Sequence, residues 1–170
     1  MLIKKEITDY PKGTLENLLV SSYGEFHKVW PKAEGENLVK FHQCDTFFYD
    51  NLRIGLKCSF ITEYENKICG MCCWDPRGLP NAVIGHNCIL PDYRRRGLGK
   101  LQLGMALKIL KNGGFETAEV STGLSDFFLP TRKMYTANGF IESRRDKIDV
   151  SEDKFNAKIY YKLCFSSVLK

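Results

Sequence analysis

Apolar positions along this chain recur with two periods, and the switches between them mark out its elements. Leu2 to Ile7 reads as a short first strand. Leu15, Leu18, Leu19, Tyr23, Phe26 and Trp30 then fall on one helical face, with Thr14 placed to cap the start and Pro31 to stop the end. A second helix is predicted over Glu36 to Asn51, with Leu38, Phe41, Cys44 and Phe48 on one side. The pattern changes at Cys58 to Tyr64, which is β-branched and aromatic. Glu65-Asn66-Lys67 is a polar turn and Ile68 to Trp74 the return strand. Asp75 to Asn81 is a loop by its proline and glycine content, so Ala82 to Leu90 becomes the third strand of an antiparallel meander.

Strand and helix then alternate. Leu101, Met105, Ile109 and Leu110 form one face of a helix that begins near Lys100 and ends at Asn112-Gly113-Gly114. Thr117 to Ser121 is a strand, and the strand–helix–strand order implies a parallel pair with a right-handed crossover. Pro130 opens a short helix that Asn138-Gly139 closes; Phe140 starts another strand, and Lys158 to Phe165 is the last. No internal repeat or low-complexity linker divides the chain. The expected fold is one α/β domain over residues 1–170, with a mixed, mostly antiparallel central sheet flanked by helices.

Composition narrows the class without choosing the chemistry. At 170 residues, 44% hydrophobic and 26% charged, the chain is globular in type. No run of about 18 apolar residues offers a membrane span. The start, MLIKKEITDYPKG, lacks the apolar core of a signal peptide, so a cytoplasmic location is expected. The seven cysteines, an odd number, fit reduced thiols better than a disulfide scaffold. Cys69 and Cys72 sit on an apolar strand where alternation points them to opposite faces, so they read as small core residues rather than metal ligands, and no metal is expected. The net charge of +5 permits an anionic ligand, but aromatic and basic residues are not interleaved as a nucleic-acid surface would need.

Chemistry concentrates in Ile84 to Lys111. An apolar strand breaks at Pro91, passes through Arg94-Arg95-Arg96-Gly97-Leu98-Gly99, and enters a helix. A strand, a glycine turn and a helix start present free N–H groups to a phosphate.

Arg94-x-x-Gly97-x-Gly99, led in by Ile89-Leu90-Pro91-Asp92-Tyr93, resembles the signature of the GNAT superfamily of acyl-CoA N-acyltransferases. Tyr135-Thr136-Ala137-Asn138-Gly139-Phe140 is similar to a second feature of that family, and the helix and strand order matches over most of the chain. The resemblance implies a GNAT fold, acetyl-CoA as co-substrate, and acetyl transfer to a primary amine of a small molecule or a peptide N-terminus, by a monomer or a homodimer. It places the pyrophosphate on backbone amides from Arg95 to Lys100, including Gly97, Leu98 and Gly99, with Arg94, Arg95, Arg96 and Lys100 adding charge. It sets the pantetheine arm beside Cys88, Ile89 and Leu90, an oxyanion donor in the Ile89 region, and Tyr135 as the general acid that protonates the leaving thiolate.

The base stays open. Some family members carry Glu eleven residues before the signature arginine; here that residue is Val83. His86 is a candidate base and Asn87 a candidate water relay, with Asp75, Glu63 and ordered water as further possibilities. By alternation His86 shares a face with Ile84 and Cys88, unless a bulge intervenes. An asparagine that contacts the cofactor arm in many members is replaced by Phe128, so that contact is lost or supplied elsewhere. An acyl-cysteine route through Cys88 is disfavoured, because an apolar strand raises a thiol's pKa. The alternatives to an enzyme are a non-catalytic CoA-binding regulatory module and a basic module binding nucleic acid or nucleotide. Tyr135 favours the enzyme over the first, and the lack of stacking aromatics argues against the second.

Overall fold

Seven strands and five α-helices organise residues 1–147 and 157–165, the part of the chain this computed structural model describes. Strand β1 (Leu2–Lys5) is followed by helices α1 (Thr14–Val29), α2 (Glu34–Asp50) and α3 (Leu52–Cys58). Then come β2 (Ser59–Tyr64), β3 (Lys67–Trp74), β4 (Asn81–Ile89), α4 (Leu98–Asn112), β5 (Thr117–Gly123), α5 (Leu129–Ala137), β6 (Ile141–Arg145) and β7 (Lys158–Cys164). They build one sheet in the order β1-β2-β3-β4-β5-β7-β6. Only β4 and β5 pair in parallel, and α4 is their crossover, as the alternation of periods implies. No described helix is long and apolar enough to cross a membrane.

Three local expectations are corrected. Thr14 is not the cap of α1: its hydroxyl donates to Pro11 O at 2.7 Å, and Gly13, at φ 97°, holds the cap position. The capping group is Asp45 of α2, which is 2% exposed and accepts from the N–H groups of Gly13, Leu15 and Glu16. A carboxylate there satisfies orphan donors and faces the positive end of the helix. Second, α3 is an additional helix between α2 and β2. Gly55 lets it close on its surroundings, since a Cβ there would lie 2.5 Å from Ile7 Cδ1 and 2.6 Å from Phe48 O. Third, α4 begins earlier and is rotated. Leu98, Gln102, Leu103, Ala106 and Leu110 are its buried residues, while Leu101 is 55% exposed.

The seven cysteines are all free, and no group of three metal-ligating side chains occurs among the described residues. Cys69 and Cys72 do not face opposite ways. The β2–β3 register slips between Thr62 and Glu63, leaving Cys69 as the extra residue of a bulge. Its thiol therefore meets Thr62 Oγ1 on the α4 face, the face to which Cys72 also turns beside its partner Asn87.

Candidate active site

Strand β4 changes partners along its length. Asn81, Ala82 and Val83 pair with Thr117, Ala118 and Glu119, and beyond Val83 no pairing joins β4 to β5 among the described residues. From there β5 continues to Gly123 against β7, and β4 continues to Ile89 against β3. The two central strands part, and a gap opens between them.

A bulge decides which backbone groups face that gap. Cys73 pairs with His86 but Trp74 with Ile84, so Gly85 is an extra residue and His86 no longer shares a face with Ile84. Val83 O accepts from Asp75 N at 2.9 Å and Leu90 N donates to Cys69 O at 2.8 Å, so both residues turn to β3. They are an odd number of residues apart, and the alternation must slip once between them. Past the bulge, Cys88 and Leu90 spend their backbone groups on β3, while Asn87 and Ile89 turn theirs to the gap. The carbonyl of Ile89 accepts from Arg94 Nε at 3.0 Å, which leaves its N–H as a donor toward the opening.

The chain leaves β4 through a single turn at Pro91–Tyr93 and bends into α4 with Arg95 at φ 61° and Gly97 at φ 75°. The first backbone bond of α4 runs from Leu101 N to Gly97 O, and no side chain caps the helix. The N–H groups of Leu98, Gly99 and Lys100 therefore emerge at its start. A Cβ on Gly97 would meet nothing within 4 Å, so positive φ alone requires glycine and the space ahead is open. Gly99 serves packing instead: a Cβ there would lie 3.2 Å from Met134 Sδ and 3.6 Å from Ile89 Cγ1.

The arginines divide in the same way. Arg94 is bound into the protein, through Ile89 O, Ser22 O and Glu25, and ties the end of β4 to α1. Arg96 donates to Asp92 O at 3.1 Å and lies over the Tyr93 ring. Arg95 and Lys100 are exposed at the turn. Uncapped amides, open space and the positive end of a 15-residue helix fit a phosphate group.

The face of β4 toward α1 and α2 is dry. His86 meets the edges of Tyr23 and Phe41, with ring centroids 6.2 and 6.0 Å away. Its Nδ1 is enclosed without a partner, and burial lowers its pKa to about 4, so the ring is neutral at ordinary pH. Burial likewise pushes the Cys88 thiol up to about 11, against acyl-cysteine chemistry. The carboxylate candidates are engaged elsewhere. Asp75 is held by Arg77 in a fork of 2.9 and 2.7 Å that lowers its pKa to about 2. Glu63 accepts from Tyr10 Oη at 2.5 Å, on β2.

Tyr135 comes from α5, whose end is built by its own sequence. Gly139, at φ 85°, lets Phe140 N reach Tyr135 O at 3.2 Å and Gly139 N reach Thr136 O at 3.0 Å, a Schellman closure. The Tyr135 ring is 6% exposed and packs on Phe140 and Tyr161, with centroids 5.7 and 5.8 Å away. Burial, chiefly, raises its phenol well above the ordinary value, so it keeps its proton. Phe127 and Phe128 meet Phe26 of α1 at 5.6 and 5.1 Å and add an aromatic wall on that side.

A helix that starts near Lys100 with Leu101 and Met105 turned inward does not single out Gln102. Counted from Leu98, glutamine falls on the buried stripe with Ala106 and Leu110. It is 0% exposed and joins three strands: its Oε1 accepts from Thr62, and its Nε2 donates to Met71 O, Asn87 Oδ1 and Cys88 O.

The sequence model described as the Acetyltransferase (GNAT) family matches residues 15–140. No curated protein sequence matches the chain. Among solved structures, a GNAT-family protein of Desulfovibrio desulfuricans superposes with a TM-score of 0.73 at 16% identity, covering 96% of this chain and 99% of its own. The yncA protein of Salmonella typhimurium, solved with its cofactor acetyl-CoA, gives 0.69 at 8% identity, covering 99% of this chain and 96% of its own. The ribosomal-protein-S18-alanine N-acetyltransferase of Escherichia coli gives 0.58 at 20% identity over 74% of this chain and 81% of its own.

Proposed function

The chain belongs to the acetyltransferase (GNAT) family, and from that premise we propose that it moves the acetyl group of acetyl-CoA to a primary amine of a small molecule or peptide, by direct attack in a ternary complex. The observation that carries the reading is the parted β4–β5 pair, bordered by an uncapped helix start and an unspent strand N–H, with a buried tyrosine on the adjoining α5.

Acetyl-CoA supplies a thioester carbonyl and a thiolate leaving group. The amides of Leu98 to Lys100, with Arg95 and Lys100 beside them, hold the pyrophosphate. The Ile89 N–H steadies the oxygen that gains charge when the amine nitrogen bonds the carbonyl carbon. As the carbon–sulfur bond breaks, Tyr135 Oη gives its proton to sulfur and is reprotonated by the proton the amine releases. His86, with a pKa of about 4, has little affinity for that proton and serves as a neutral wall. The amine therefore arrives already deprotonated from solvent. Asn87 turns its side chain to α4, away from the face of His86, which leaves it outside a relay to the amine.

Release of free thiol from acetyl-CoA tests this, measured across arylalkylamines, polyamines and peptides with free N-termini. Thiol release that depends on one amine class, with acetylated product found by mass spectrometry, is expected. Acetyl-CoA binding without transfer to any amine would favour the non-catalytic CoA-binding module instead.

A further inference from the structure

The hydrogen bonds around Gln102 assign an orientation to Asn87. Met71 O and Cys88 O are carbonyls and can only accept, so the Gln102 atom beside them must be its amide nitrogen. The Asn87 atom that faces this nitrogen, 2.8 Å away, must then be its oxygen. Thr62 completes the arrangement by donating to Gln102 Oε1. Asn87 Nδ2 is therefore turned outward, where it has a long bond to Gly99 O at 3.3 Å and the weak acceptor Met134 Sδ at 3.5 Å.

The location gives that amide a use. Gly99 is in the first turn of α4, and Met134 is the residue before Tyr135. Asn87 is half-buried while Gln102 behind it is fully buried. An extended arm running from the helix start to Tyr135 passes this point, and Phe128 has no polar group to offer it. We propose that Asn87 Nδ2 donates a hydrogen bond to an amide carbonyl of the pantetheine arm, exchanging the methionine sulfur for a better acceptor. Gln102 is the positioning residue that keeps the Asn87 amide from flipping. The assignment rests on the gap being the CoA site.

Calorimetry with two ligands tests it: CoA, and adenosine 3′,5′-bisphosphate, which keeps the phosphates and lacks the arm. Asn87→Leu should weaken CoA about fivefold, the scale of one net hydrogen bond, and leave the bisphosphate unchanged. Asn87→Ser, too short to reach the arm and easily accommodated, should do the same. In turnover, the KM for acetyl-CoA should rise by a similar factor with kcat changed less than about twofold. Unchanged CoA affinity in both variants overturns the proposal, and so does an equal loss for the two ligands, which would mark general damage to the turn. Failure of the wild-type protein to bind CoA would instead sink the reading of the gap, and this inference with it.

Discussion

The two faces of β4 solve the problem of a polar interior in opposite ways. On the α4 face, Thr62, Gln102 and Asn87 bury polar atoms and pair them with one another and with strand carbonyls. On the α1 face, His86 buries Nδ1 with no partner among Tyr23, Phe41 and Cys88, and is held neutral. A satisfied network fixes geometry, because each member has one orientation that leaves nothing unpaired. A dry aromatic wall fixes little, but in the proposed transfer it would offer an uncharged amine no competing proton. The contrast suits a reaction in which one substrate must be held in register and the other must arrive deprotonated.

The largest effect should come from the proposed general acid. Tyr135→Phe is expected to lower kcat about 100-fold while calorimetry still shows acetyl-CoA binding. Unchanged turnover in a variant whose chemical step is rate-limiting would remove Tyr135 from the mechanism. Next comes the network. Gln102→Leu strips donors from Met71 O, Cys88 O and Asn87 Oδ1 together, and should cost roughly 2–3 kcal/mol by denaturant unfolding. His86→Leu on the opposite face should cost under about 1 kcal/mol, since it removes a polar atom that had no bond to lose. Equal losses would erase the distinction between the faces.

Much of this architecture is legible in the sequence. Strand and helix periods carry the element order apart from α3, and the glycine turn at Arg94 to Gly99 and the helix end at Gly139 are legible because each rests on local backbone chemistry, whereas Tyr135 stands out only through the family resemblance. What escaped depended on partners far along the chain. Asp45 caps α1 from 30 residues beyond Leu15, and nothing near Thr14 signals it. The bulges at Cys69 and Gly85 reverse alternation through the registers of neighbouring strands, which one strand's sequence does not contain. Gln102 carries no local signal of burial, because its four bonds come from β2, β3 and β4.

The phosphate turn offers a smaller test of the ordered side. Gly97→Glu sets a carboxylate in the open space ahead of the turn and forces a side chain onto a left-handed backbone. CoA affinity should fall about tenfold, with stability changed by no more than about 1–2 kcal/mol. Retained affinity would place the pyrophosphate elsewhere.

The smallest predicted effect belongs to the dry face, and it reads His86 directly. Its folded pKa, about 4, lies below the unfolded value of about 6.5, so the unfolded chain takes up the proton first as pH falls. The stability it contributes is whole above pH 6.5 and is lost progressively between there and pH 4. Between pH 7 and pH 6 the loss should be about 0.7 kcal/mol, absent in His86→Leu. Around it, Cys88 is pushed up to about 11, and Tyr23 and Cys73 are raised as well, so none of these titrates in that window. The kinetic counterpart is a kcat/KM that rises with pH toward the amine's own pKa, near 10.4 for a lysine-like acceptor, without an inflection near 6.5. An inflection near 6.5 that vanishes in His86→Leu would show a histidine taking up the amine's proton, and the wall on the α1 face would then be the base.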